Sequence, residues 1–168
     1  MQLQNMDAPI ISVITVCYNV ASTIEKTMLS VLNQTYKNLE YIIIDGNSTD
    51  GTVDIIKKYA ERLTFWISEP DKGIYDAMNK GIVKATGKFL IFMNAGDQFL
   101  NEKVLSKCLP YFLQEIDVIS GIGYLSGQKW IPAKATDLSV AFFLKKSLNH
   151  QATFINRKLF QDNLYRTD

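Results

Sequence analysis

A chain of 168 residues with 47% hydrophobic and 21% charged content has the composition of one globular unit built on one substantial core. Its 18 basic and 17 acidic residues leave a formal net charge of +1, which excludes broad electrostatic attraction to nucleic acid or acidic lipid; any polyanion must be bound locally. Two cysteines, Cys17 and Cys108, lie in apolar stretches without metal-ligand neighbours at zinc-site spacing, and read as free thiols in a reducing compartment.

Residues Met1 to Asp7 lack the basic start and apolar run of a secretory signal, and no run reaches the roughly 18 apolar residues of a spanning helix. The expected location is the cytoplasm, with any membrane contact peripheral. The first element is the β-branched run Ile10 to Val16, apolar on both sides as in a strand covered on both faces of a parallel sheet. Ser22 and Glu25 then stand at capping-box spacing, and Ile24, Met28, Val31 and Leu32 form one apolar stripe, so a helix is expected from about Thr23 to Asn33.

The pattern recurs. Tyr41 to Ile44 reads as a second buried strand, and Val53, Ile56 and Ala60 mark a helix after the turn-rich GNSTDGT. Phe65 to Ile67 gives a third strand, and Ile74, Met78, Ile82 and Ala85 give a third helix with Gly87 as its left-handed cap. Phe89 to Phe92 supplies the fourth strand. Beyond it, a helix through Val104, Leu105 and Leu109 and a strand at Asp117 to Ile119 are expected, while Gly121 to Lys134 is the loosest region by composition. Strands alternating with helices so regularly predict an α/β fold, a mostly parallel sheet with helices on both faces. No internal repeat, low-complexity tract or linker divides the chain.

Open α/β sheets bind ligands beyond the carboxyl ends of their strands. The residues that follow the four strands are Cys17, Tyr18 and Asn19; Asp45, Gly46 and Asn47; Glu69, Asp71 and Lys72; and Asn94 and Asp97. Four polar clusters are therefore expected on one rim. Aspartate is also common in turns and at helix starts, which accounts equally well for Asp50 and Asp76. Asp97 ends the apolar run FLIFMNAGD ahead of Phe99 and Leu100, a placement that suits a ligand better than a cap.

These residues resemble the inverting nucleotide-sugar glycosyltransferases of the GT-A fold, the group known as glycosyltransferase family 2. The resemblance rests on SVITVCYN, LSVLNQTYKNLEYIIIDGNSTDGT, EPDKGIYDAMNKGIVKATGKFLIFMNAGD and HQATF, and covers most of the chain. It implies a (Rossmann-like) donor-binding half at about residues 9–100 and the start of an acceptor-binding half at about 101–168. It also implies a nucleotide seat at the ends of the first three strands, with Val16, Tyr18 and Asn19 near base and ribose and Asp45 completing the pocket. Many members end the second strand in two adjacent aspartates; here Gly46 takes the second place, leaving Asp71 to supply the base contact. Lys72 either meets phosphate or is a solvated loop lysine.

The family's metal motif is two aspartates separated by one residue, and NAGD keeps the last of them, Asp97, with Asn94 as an assisting amide. Mg²⁺ or Mn²⁺ on a nucleotide diphosphate is commonly held by one or two carboxylates together with phosphate oxygens and water, so one aspartate suffices. The resemblance puts His150, the one histidine of the chain, near the diphosphate or the metal; a purely structural histidine is the alternative. The implied partners are a nucleotide-sugar donor, with UDP as the expected carrier, and a saccharide or lipid-linked saccharide acceptor, in polysaccharide or glycan biosynthesis. The segment LSVAFFLKKSLNH reads as a core helix or an active-site lid, with a peripheral bilayer contact as the alternative.

Two other readings compete. A nucleotidyltransferase would need a glycine-rich phosphate loop near the first strand, where TVCYNVAST stands instead, and GIGYLSG, late in the chain, reads as a flexible turn. A non-catalytic nucleotide-sugar or carbohydrate-binding module would share the rim and lack turnover.

The implied reaction is a direct displacement in which a carboxylate base takes the acceptor's proton. In related enzymes the base follows the stretch that RKLFQDNLYRTD resembles, so it is expected beyond Asp168. A general base contributes about 10²- to 10⁴-fold in rate. The chain is thus expected to bind donor and transfer sugar poorly, and a version extended past Asp168 to turn over faster; equal turnover would refute this.

Overall fold

The computed structural model describes residues 8–125, 128–131 and 150–167. The first strand, β1 (Ile11–Cys17), is buried at every residue, as its apolar run requires. Helix α1 (Ile24–Leu32) returns the chain to β2 (Leu39–Asp45), which pairs parallel with β1 in the register Ile11 to Leu39 through Cys17 to Asp45. Helix α2 (Thr52–Lys58) and a short 3-10 turn at Ala60–Arg62 lead to β3 (Phe65–Ser68), parallel to β2. Helix α3 (Ile74–Lys84) leads to β4 (Phe89–Phe92), parallel to β1 on its other side.

Alternation along the strands supplies both faces of the sheet. Ile11, Val13, Cys17, Ile43 and Ile91 join Met28 and Val31 of α1 and Ile56 of α2 in one apolar cluster. Ile14, Val16, Ile42, Ile44 and Phe92 join Ala77, Met78 and Ile82 of α3 in the other. With both faces covered, the strand ends are where polar chemistry remains accessible.

After β4 the chain forms α4 (Val104–Phe112), β5 (Val118–Ser120) and a hairpin of β6 (Gly123–Leu125) with β7 (Gln128–Trp130). Within GIGYLSG, expected as a flexible turn, Gly123–Leu125 form a hairpin strand, while Ser126 and Gly127 lie outside the described residues. A 3-10 turn at His150–Ala152 then enters β8 (Thr153–Asn156). β8 runs antiparallel between β4 and β5, giving the order β3-β2-β1-β4-β8-β5, so the expected fifth strand pairs antiparallel at the sheet edge. The sheet is α/β and mostly parallel, as expected. The stretch Leu138 to Asn149, read as a helix, lid or membrane contact, lies outside the described residues. Among the described residues no helix is long and apolar enough to cross a membrane.

Two cap expectations are corrected. Thr23, not Ser22, precedes α1, without a side-chain cap bond. Glu25 instead accepts from Lys58 Nζ at 2.7 Å and Tyr59 Oη at 2.6 Å, tying α1 to the end of α2. Those two donors hold the Glu25 carboxyl below the usual carboxylate range. α3 ends at Ala85 in extended backbone, so Gly87 caps no helix. A Cβ at Gly87 would lie 2.6 Å from Ser12 Oγ, 2.7 Å from Ile10 O and 2.8 Å from Ser12 N.

That crowding belongs to a hydrogen-bonded network at the amino ends of the strands, in which Ser12 and Glu40 are buried. Ser12 Oγ donates to Glu40 Oε2 at 2.5 Å and accepts from Gly87 N at 2.9 Å, while Thr86 donates to the same carboxylate through N at 2.8 Å and Oγ1 at 3.0 Å. Because two of the three close neighbours of the missing Cβ are backbone atoms, Gly87→Ala is expected to destabilise the fold by about 1–3 kcal/mol, as overpacking does. Urea unfolding measures it; an unchanged midpoint would contradict the packing described.

Candidate functional site at the carboxyl ends of the strands

Cys17, Asp45 and Ser68 lie in one row across β1, β2 and β3. Asp45 is fully buried. Its Oδ2 accepts from Ser68 Oγ at 2.6 Å and from Ser48 N at 2.9 Å, and its Oδ1 from Ser48 Oγ at 2.5 Å and the Cys17 thiol at 3.5 Å. The sequence reading has Asp45 completing the nucleotide pocket; in the fold its side chain is enclosed and shapes the pocket from beneath. Burial first, and then the Asp45 charge, push the Cys17 thiol far above its ordinary range, so it stays protonated.

The loops after β1 and β2 are joined above that row. Asn19 N–H donates to Ser48 Oγ at 2.7 Å, so the bonds run from Asn19 through Ser48 to Asp45. Thr49 N–H donates to Asn19 Oδ1 at 2.8 Å, Val20 N–H to Thr52 Oγ1 at 2.9 Å, and Ala21 N–H to Asp50 Oδ2 at 2.9 Å. Asn19 and Asn47 take left-handed backbone, with φ of 51° and 67°, which asparagine tolerates better than most residues. Asp50 also accepts from Thr52 Oγ1 and N, which keeps its carboxyl below the ordinary range and gives it the local role that a turn aspartate commonly has.

The loop after β3 is fixed to α3. Lys80 Nζ contacts Glu69 at 2.9 Å, Pro70 O at 2.9 Å and Asp76 at 3.7 Å, and Asp76 Oδ2 accepts from Lys72 N at 3.1 Å. Asp71 Oδ1 accepts from Gly73 N at 2.8 Å. The Asp71 carboxylate reaches over Gly46 beside the Tyr18 ring, which is 62% exposed, and Lys72 is exposed on the same loop. Tyr18, Asn19, Asp71 and Lys72 thus face solvent at one rim. The side chain of Val16 is instead 6% exposed within the α3-side core.

Past β4, the loop carrying Asn94 and Asp97 is held by α1. Gly96 N–H donates to Thr27 Oγ1 at 2.9 Å, Phe99 N–H to Ser30 Oγ at 3.3 Å, and Asp97 N–H closes a turn on Asn94 O at 2.9 Å. Asn94 and Asp97 are both half-buried. Among the described residues no three His, Cys, Asp or Glu side chains gather as a metal-holding group. A cation here would depend on Asp97 and on a ligand's own oxygens, a donor set that fits a metal arriving with a diphosphate. His150 opens the turn before β8, and its side chain lies outside the described part of the structure.

A groove of about 300 Å³ between β3 and α3 is floored by Ile44, Phe65 and Ile67 and is almost wholly apolar, which suits neither phosphate nor ribose. The polar rim is the better candidate. Sequence reasoning missed Ser48, Ser68 and Lys80. The first carried a signal, since an aspartate followed by Gly-Asn-Ser is a local hydrogen-bonding turn; Ser68 and Lys80 acquire their roles through pairing and packing alone. Asp45→Asn puts an amide NH₂ where donors converge, and is expected to cost about 1–3 kcal/mol of stability as a buried donor loses its acceptor. Thermal unfolding checks this, and an unchanged midpoint would contradict it.

The architecture agrees with known proteins. The family model described as glycosyl transferase family 2 matches residues 12–165. A PGL/p-HBAD biosynthesis glycosyltransferase of Mycobacterium bovis is 34% identical over 161 residues, covering 92% of this chain; the chain spans 62% of that relative's length. Among solved structures, S. aureus TarS 1-349 in complex with UDP-GlcNAc superposes with a TM-score of 0.72 at 21% identity, over 92% of this chain and 47% of that one. A mannosyltransferase of Pyrobaculum calidifontis, in complex with GDP-Man and Mn²⁺, gives a TM-score of 0.74 at 20% identity, over 97% and 49%. At those identities the structures speak for the fold, and the family match from β1 to Tyr165 carries the assignment: the chain belongs to glycosyl transferase family 2.

Proposed function

We propose that this chain carries the donor site of an inverting glycosyltransferase that moves a sugar from a nucleotide diphosphate sugar, uridine-linked in our reading, to a saccharide or lipid-linked saccharide acceptor in polysaccharide or glycan biosynthesis. The observation that carries the reading is the rim itself: within a family-2 domain, the ends of β1, β2, β3 and β4 bring Tyr18 and Asn19, Asp71 and Lys72, and Asn94 and Asp97 to one side of the sheet. The relative's role in biosynthesis and the neighbours' UDP-GlcNAc and GDP-Man support the donor class.

In this reading the base and ribose rest on Tyr18 and Asn19 and the backbone near Val16, with Asp71 beside them. Asp45 acts through the loop it holds, and Lys72 faces the diphosphate, with His150 a second candidate for that end. The acceptor hydroxyl attacks the anomeric carbon from the face opposite the diphosphate. The carbon–oxygen bond to phosphate breaks, the diphosphate leaves with the electron pair, and the acceptor's proton passes to a carboxylate base, so configuration inverts. A Mg²⁺ or Mn²⁺ ion, held by Asp97 with Asn94 assisting, would neutralise charge on the leaving diphosphate when bound.

Slow release of nucleotide from a nucleotide sugar separates this reading from a binding module without turnover. With manganese present, the chain is expected to release nucleotide, and Asp97→Ala to reduce the rate by at least about tenfold, equivalent to about 1.4 kcal/mol of barrier. Release by the variant at the parent rate would remove Asp97 from the metal role, and no release by the parent would favour the binding module.

A further inference from the structure

Tyr75 and Asn79 stand one helical turn apart on α3, and both engage a single residue far along the chain, Tyr165. Asn79 takes both backbone groups of Tyr165: its Nδ2 donates to Tyr165 O at 2.8 Å, and its Oδ1 accepts from Tyr165 N at 2.9 Å. The two tyrosine rings stack, with centroids 5.4 Å apart and planes 27° from parallel. Behind the stack, Tyr165 meets Phe92 at 5.9 Å and Phe160 at 6.0 Å, and these rings pack into the α3-side core. Tyr165 is thus held by its backbone and from behind. Tyr75, in front of it, is 53% exposed and meets no other ring among the described residues.

The stack has a defined place in the fold. Tyr75 lies in the first turn of α3, just after Gly73, whose N–H holds Asp71; Phe92 closes β4, just ahead of Asn94. The rings therefore stand on the α3 face of the sheet, between the loop after β3 and the loop after β4. In the proposed donor site that is the side where the diphosphate and the anomeric carbon would lie, and an attacking hydroxyl has to be positioned next to that carbon. A pyranose with equatorial hydroxyls has flat faces made of axial C–H groups. Such a face is apolar and slightly positive, so it rests on the negative face of an aromatic ring while the hydroxyls at its rim stay hydrated. Resting on the donor-site reading above, we infer that the outer face of Tyr75, backed by Tyr165, is the seat for a pyranose ring of the acceptor.

The test is an NMR titration of the isotope-labelled chain, first with UDP and Mg²⁺ and then with three probes. Cellobiose and N,N′-diacetylchitobiose are built of pyranoses with equatorial substituents; sorbitol, an open-chain polyol, has the hydroxyls without the flat face. At least one disaccharide is expected to shift the amides of Tyr75, Asn79 and Tyr165 in the millimolar range, with sorbitol leaving them in place. Tyr75→Ala is expected to weaken that disaccharide by at least about fivefold, and Tyr75→Phe, which keeps the ring, to stay within about twofold of the parent. Both variants are expected to bind UDP as the parent does. Should melting curves show Tyr75→Ala unfolded, Tyr75→Leu, apolar without a flat ring, takes its place with the same expectation. Disaccharides that leave all three amides unmoved while UDP binds overturn the assignment and leave the donor-site reading standing. An equal response to sorbitol, or a folded Tyr75→Ala or Tyr75→Leu that binds as tightly as the parent, does the same. Failure of the parent to bind UDP overturns the donor-site reading and the acceptor seat with it.

Discussion

The site depends on one buried carboxylate. Asp45 sits at the end of β2 with no exposure to water and meets Cys17 of β1, Ser68 of β3 and Ser48 of its own loop. A carboxyl group taken from water is costly unless hydrogen bonds replace its hydration, so the three strand ends and the loop are held to one geometry by the requirement to satisfy it. Through Ser48 the constraint passes to the backbone of Asn19, and through Asn19 to Thr49. These bonds tie the loops after β1 and β2 to the strand ends, and in the proposed donor site such ordering would lower the entropic cost of binding.

The two ends of the sheet divide the work. At the amino ends, Ser12, Glu40 and Thr86 form a closed hydrogen-bonded set against Gly87, with no space left over. At the carboxyl ends the loops are tied to one another and to helices, yet Tyr18, Asn19 and Lys72 remain open to solvent. A ligand in the proposed site would therefore meet polar groups already held in place, on a scaffold whose two faces are filled by apolar side chains. Asp45 and Asp71 illustrate the difference between neighbouring carboxylates: one is enclosed by its hydrogen-bond donors, the other stands partly exposed at the rim.

Much of this was legible in the sequence because it follows from periodicity. The runs that became β1, β2 and β4 and the stripes of α1 and α3 are local signals, and the polar clusters at the strand ends follow once the sheet is parallel. What was not legible depends on partners distant in the chain. Glu25 fits a capping box by spacing, yet Lys58 and Tyr59 outbid the helix amides for it. Gly87 has a cap's position in sequence, but the reason for glycine lies in Ser12 and Ile10, on a strand far upstream. The antiparallel insertion of β8 between β4 and β5 joins segments with no common local pattern. The enclosure of Asp45 was not legible either, because nothing in the order of residues reveals that Ser68 faces it across the register.

The central claim is that a nucleotide rests on the rim formed by the ends of β1, β2 and β3. The most direct measurement is an NMR titration of the isotope-labelled chain with UDP and Mg²⁺, following the backbone amides. The account predicts that the largest shifts gather at Tyr18, Asn19, Gly46, Asn47 and residues 71–73. Shifts confined to the apolar groove between β3 and α3, or to the amino-end network around Ser12 and Glu40, would contradict it.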